Sequence, residues 1–140
     1  MRWHAGYVVS PTFAAIEQAL RDSWAADTCS PDDVARAAWD FGNPAWGHCD
    51  ITALVLHDVF GGELVLGEVF LDGERRGYHW WNQLPDGTEI DLTREQFRLG
   101  ETVTNRRIVH RPAGPLRRRG DEYALLRRRV AERIGSALPG

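Results

Sequence analysis

The sequence contains no lysine, since all 17 of its basic residues are arginine. Schiff-base catalysis through a lysine amine is therefore excluded. Its two cysteines, Cys29 and Cys49, are too few for a disulfide scaffold. No stretch approaches the ~20 apolar residues of a membrane span. The N-terminal residues, Met1 to Ala5, lack the long apolar run and small-residue cleavage site of an export signal. The expected location is the cytoplasm, where thiols stay reduced, with no membrane partner. Also missing are a glycine-rich phosphate loop, GxGxxG and GxSxG, which leaves nucleotide and serine-hydrolase readings without support. A net charge of −3 argues against a nucleic-acid partner. The arginine runs at 106–107, 117–119 and 127–129 read as a solvated helix face or tail.

What is present is core material. Of 140 residues, 43% are apolar and six are tryptophan, enough for one domain over residues 1–140 that buries roughly two-thirds of its unfolded surface. Ser10 and Pro11 read as the N-cap and first residue of a helix, with Phe13, Ile16, Leu20 and Trp24 recurring on its inward face. A short helix follows over 31–39, capped by Ser30. The loop 40–47 leads straight into Cys49. The pattern over 48–60 is helical again, ends at Gly61-Gly62, and carries so wide an apolar arc that it reads as a central helix packed on several sides. Strands are expected at 63–71, 78–84, 88–92 and 102–110, with turns at Asp72-Gly73 and Pro85-Asp86-Gly87. An amphipathic helix over 121–134 closes the chain. Helices, then an antiparallel sheet, then a helix is an α+β order.

Cys49 carries the chemistry. A thiol at a helix N-terminus meets unpaired backbone N–H groups and the positive end of the helix dipole, which favour a thiolate and can hold an oxyanion. A base from another element is needed, and His79 is the candidate, with Asp91 placed to orient its imidazole. Register decides whether they meet. A two-residue turn at Asp86-Gly87 would set Asp91 opposite Asn82, on the wrong side. A three-residue loop at 85–87 sets it opposite Trp81, on the His79 face. Other readings of the same residues are a buried apolar thiol, which is the reading of Cys29, and a metal site built from His48, Cys49, His79 and Asp91. No paired ligand spacing supports the latter, so no metal or cofactor is expected.

The runs Asn43-Pro44-Ala45-Trp46-Gly47-His48-Cys49-Asp50-Ile51-Thr52 and His79-Trp80-Trp81-Asn82-Gln83-Leu84-Pro85-Asp86-Gly87, then Asp91-Leu92-Thr93-Arg94-Glu95-Gln96-Phe97, resemble the YunG-like family of small bacterial proteins. The resemblance spans nearly the whole chain. Its order of Cys, His and Asp is similar to papain-like and transglutaminase-like folds, in which a Cys-bearing helix packs on a small antiparallel sheet. The family pattern has Gln before the Cys; here that place is His48. The residues and the resemblance together point to a cysteine hydrolase or acyltransferase working through Cys49, His79 and Asp91, and the short chain with few insertions suits a small amide, ester or short peptide as substrate. His48 is a candidate oxyanion donor, and Trp46, Trp80, Trp81 and Asn82 are candidate substrate contacts lining one aromatic cleft. The alternative is a non-catalytic module that binds a ligand in that cleft.

Overall fold

A computed structural model describes residues 12–97, 99–111, 114, 116 and 118–139. Ser10 and Pro11, read above as a helix start, lie outside them. Helix α1 (Phe13–Ser23) is capped by Thr12, whose side chain accepts from the N–H of Ala15. Helix α2 (Pro31–Arg36) stops before residue 39 because Ala37 turns extended. Helix α3 (Cys49–Phe60) ends at Gly61, whose φ of 75° suits a residue without Cβ.

Strand β1 (Glu63–Leu71) turns at Asp72 and Gly73, both with positive φ, into β2 (Glu74–Gln83). That tight turn matches the twist of the paired strands and lets β2 begin at residue 74, earlier than its hydrophobic pattern suggests. Strand β3 is only Glu89–Ile90. Beyond it Leu92 turns into the helical core, and a 3₁₀ turn at Arg94–Gln96 follows. Strand β4 (Thr102–Val109) and helix α4 (Gly120–Ile134) complete the chain.

The sheet is antiparallel, in the order β3-β2-β1-β4. The fold is α+β, as its element order implied. Ile16 and Leu20 of α1, Trp24 just beyond it, Ile51, Val55 and Leu56 of α3, and Leu126 and Val130 of α4 form one core with Leu92. Each side chain of that size, fully buried, contributes roughly 1.5–3 kcal/mol over leaving it in water. Helix α3 is thus held from several sides, which fixes where its first residue, Cys49, stands. Among the described residues, no helix is long and apolar enough to cross a membrane.

Candidate functional site

Cys49 is the first residue of α3, with His48 as the N-cap. The helix start is clamped electrostatically. Arg119 reaches Asp50 with Nε at 3.1 Å and Nη2 at 3.2 Å, and its Nη2 also donates to the carbonyls of Gly47 (2.9 Å) and Thr28 (3.1 Å). Asp50 in turn accepts from the N–H of Ile51. One guanidinium therefore ties α4 to the loops before α2 and α3. The arginine runs are not uniformly solvated: Arg119 is only 11% exposed, although Arg118 is 80% exposed.

The loop entering α3 tolerates no side chain at Gly47. Its φ is +75°, and a Cβ there would sit 2.4 Å from the Cys29 sulfur. Cys29 is buried and donates to the carbonyl of Trp46, and its thiol is pushed up to about 11, first by burial and then by Asp33.

Cys49 lies along the edge of β2. The N–H of Leu84 donates to Thr88, so even-numbered residues of β2 turn their N–H groups toward the β3 side. Beyond Asn82, β3 has ended, and there the N–H of Trp80 favours the Cys49 thiolate. Larger effects run the other way. Although part of the residue stays open, burial pushes the thiol well above its ordinary value, and the charges of Asp50, Asp33 and Asp91 add to the rise. The sequence-based expectation of a thiolate favoured by the helix start is therefore reversed at rest, because desolvation and nearby carboxylates outweigh the helix N-terminus.

His79 and Asp91 meet. Asn82 pairs with Ile90 and Gln83 with Glu89, and Leu84 bonds to Thr88, which leaves a loop at 85–87. This is the longer of the two turns weighed above, and it carries Asp91 to the His79 side. His79 Nε2 lies 2.7 Å from Asp91 Oδ2, and Nδ1 lies 3.2 Å from Gln96 Nε2. A carboxylate only accepts, so Nε2 carries the hydrogen and Nδ1 presents its lone pair to the Gln96 amide. The ring is 1% exposed and flanked by Trp81 at 5.7 Å, stacked, and Phe97 at 4.5 Å, edge-on. Trp81 settles beside it over Gly67, where a Cβ would come within 2.9 Å of the indole. Asp91 Oδ1 is buried without a partner among the described residues.

Among the described residues, the partners of the His79 ring nitrogens are Asp91 and Gln96, not Cys49. Cys49 and Gln96 line one cavity of about 230 Å³ with Trp46 and Tyr78. His79, Trp81 and Asp91 line another of about 730 Å³. Phe97 and Glu101 form walls of both.

Two candidate contacts are corrected. His48 is 0% exposed; its Nδ1 lies 2.8 Å from the carbonyl of Trp46 and its Nε2 2.7 Å from Thr28 Oγ1. The carbonyl accepts, so Nδ1 carries the hydrogen and Nε2 receives the Thr28 hydroxyl. With both nitrogens occupied, His48 is no oxyanion donor; it staples the turn before α3. Burial lowers its pKa to about 4. Asn82 is 1% exposed and donates to the carbonyl of Ala53, 2.9 Å away, bonding sheet to helix rather than facing a ligand.

The tryptophans do not share one cleft either. Trp46 lines the Cys49 cavity, Trp81 the His79 cavity, and Trp80 an apolar cavity of about 400 Å³ with Ile51, Leu54 and Leu64. Alternation along β2 sends Trp80 and Trp81 to opposite faces. Among the described residues, no three His, Cys, Asp or Glu side chains gather to hold a metal ion.

The residues that composition alone missed are Gln96, Phe97 and Arg119. The first two stood inside a quoted motif, and Arg119 was masked by its run of arginines.

The uncharacterized protein YunG of Bacillus subtilis (strain 168) is 30% identical over 82 residues, 59% of this chain and 60% of that protein. The chain thus aligns with about 60% of the length of the curated relative it matches. No solved structure matches it. The family described as YunG protein matches residues 12–135, a span that holds every element and site residue described above, and the chain belongs to that family.

Proposed function

We propose that the protein is a thiol-dependent acyl-transfer enzyme with a papain-like or transglutaminase-like arrangement of Cys49, His79 and Asp91. The observation that carries this reading is the 2.7 Å bond from Asp91 to His79 Nε2, which leaves the Nδ1 lone pair as the basic atom beside the wall of the Cys49 cavity. A carboxylate that fixes a histidine tautomer is the orienting half of a nucleophile-activating device.

In this mechanism a substrate carbonyl enters the Cys49 cavity. The sulfur forms its bond to the carbonyl carbon as the thiol proton passes to His79 Nδ1. Asp91 stabilises the resulting imidazolium through Nε2–H. The oxyanion is held by the N–H groups of Cys49 and Asp50 at the start of α3, since that of Ile51 already donates to the Asp50 carboxylate. Collapse breaks the bond to the leaving group, which takes the proton from His79 and leaves a Cys49 thioester. Water or a second nucleophile then attacks the thioester carbonyl and gives its proton to His79; the C–S bond breaks, the acyl group leaves, and the sulfur takes that proton back. Because burial raises the thiol pKa, Cys49 is activated during attack rather than stored as a thiolate. The cavity at Cys49, about 230 Å³, fits a small acyl group or one residue of a short peptide.

The test is to offer short-chain activated esters, thioesters and peptide amides and to look by mass spectrometry for an acyl group on the Cys49 peptide. Wild type should acquire it, Cys49→Ala should not, and His79→Ala should acquire it ~10²–10⁴ times more slowly. A second reading, a non-catalytic ligand-binding module, is favoured by the raised thiol pKa and by Gln96 occupying Nδ1. No acyl adduct with any probe, together with an alkylation profile indifferent to His79, would establish it instead.

A further inference from the structure

Gln96 is 8% exposed, yet neither composition nor motif chemistry gave it a task. It ends the 3₁₀ turn Arg94–Gln96, which sits between Asp91 and β4. Its backbone is anchored at both polar groups: its N–H donates to Thr93, and its carbonyl accepts from the Asn43 side chain at 3.4 Å. Asn43 lies in the loop that runs into Cys49. The Gln96 amide therefore lies between the nucleophile's loop and the base. It reaches His79 Nδ1 at 3.2 Å and also lines the Cys49 cavity.

That position matters because Nδ1 is the lone pair a thiol proton would have to reach. An amide N–H on it does two things. It enforces the Nε2–H tautomer that Asp91 requires, and it keeps the lone pair engaged while the cavity is empty. We propose that Gln96 is a positioning residue that latches His79 at rest and releases it when a substrate carbonyl entering the Cys49 cavity takes over the amide hydrogen bond. The exchange swaps one hydrogen bond for another, with no covalent change and no outside reactant. It couples base availability to occupancy of the cavity. The inference rests on the acyl-transfer reading of Cys49 and His79.

The experiment measures iodoacetamide alkylation of Cys49 against pH in wild type, Gln96→Leu, Gln96→Glu and the Gln96→Leu/His79→Ala double variant, beside ¹⁵N NMR of His79. Leucine cannot donate, so Gln96→Leu should alkylate faster near neutral pH by about tenfold, the size of one hydrogen bond. Its profile should gain an imidazole inflection. Gln96→Glu, which accepts at Nδ1 and so keeps the ring protonated, should be slower than Gln96→Leu. The double variant should lose the gain. NMR of wild type should show His79 with hydrogen on Nε2 and a perturbed Nδ1 that moves in Gln96→Leu. A folded Gln96→Leu that alkylates no faster than wild type overturns the latch, as does a gain that survives without His79. If Gln96→Leu does not fold, hydrogen on Nδ1 in wild type overturns it and hydrogen on Nε2 supports it. Failure of the acyl-transfer reading looks different: no variant forms an acyl-Cys49, whatever the order of alkylation rates.

Discussion

Replacing His48 with glutamine should flatten the acid side of the stability curve. The imidazole is 0% exposed, hydrogen-bonded at both nitrogens, and has its pKa lowered by burial from 6.5 to about 4. Below pH 6.5 the unfolded chain binds a proton at this position while the folded chain does not until about pH 4. The unfolded state therefore holds more protons across that window, and stability rises with pH. His48's contribution is complete above 6.5, is lost progressively as the pH falls, and is gone below about 4. A shift of this size is worth about 3 kcal/mol, at ~1.4 kcal/mol per pH unit. Glutamine can satisfy one of the two hydrogen-bond partners, so His48→Gln should lose about 1 kcal/mol at neutral pH.

Urea unfolding of both proteins from pH ~7.5 to ~4.5 isolates the effect, because titrations common to both cancel in the difference. On going to acid the stability difference should shift by roughly 2–3 kcal/mol in favour of His48→Gln, passing through zero along the way. Parallel curves for the two proteins would refute the reasoning. So would a His48 NMR titration midpoint close to the unperturbed value. Because the His48 ring holds the turn before α3 through Trp46 and Thr28, acid should also loosen the start of the helix that holds Cys49.

Gly47→Ala combines a left-handed φ with a collision against the Cys29 sulfur. It should cost about 2–4 kcal/mol in urea unfolding, and a loss under half a kcal/mol would contradict the placement of that loop. Arg119→Ala strands Asp50 and two loop carbonyls and should destabilise by about 2–3 kcal/mol, since Asp50 keeps some water. Arg119→Lys should recover little, because one ammonium cannot replace the guanidinium fork; full recovery would argue against the clamp. In the native protein, peptide mapping after limited alkylation should find Cys49, part of which stays open, modified before the buried Cys29. The reverse order would refute the assigned accessibilities. Asp91→Asn should slow formation of acyl-Cys49 by ~10²-fold or more by releasing the His79 tautomer, measured on the same ester probes.

Local chemistry made the scaffold legible before any coordinates. Apolar periodicity over 48–60 and the glycines after it marked α3, and the apolar run from Glu63 to Leu71 marked β1 with the bounds it has. Both signals lie within one element, so neighbouring residues are enough to state them. Residue type also singled out Cys49, His79 and Asp91 as the groups with chemistry to offer.

What those groups touch was not legible, because it depends on contacts between residues far apart in the chain. The meeting of His79 and Asp91 hangs on one residue in a turn, since a single step of register moves every side chain to the other face. His48 looked like a site residue because it adjoins Cys49. Its ring turns instead into a pocket closed by Thr28, twenty positions away, and the backbone of Trp46. Gln96 gained its place beside His79 only when β3 ended early and the chain wound back as a 3₁₀ turn. By itself, then, the sequence determined the elements, the family motifs and the reactive groups. Only the tertiary structure decided which imidazole nitrogen is free, which histidine is structural and how buried the thiol is, because burial and hydrogen-bond partners come from packing between elements rather than from neighbours in sequence.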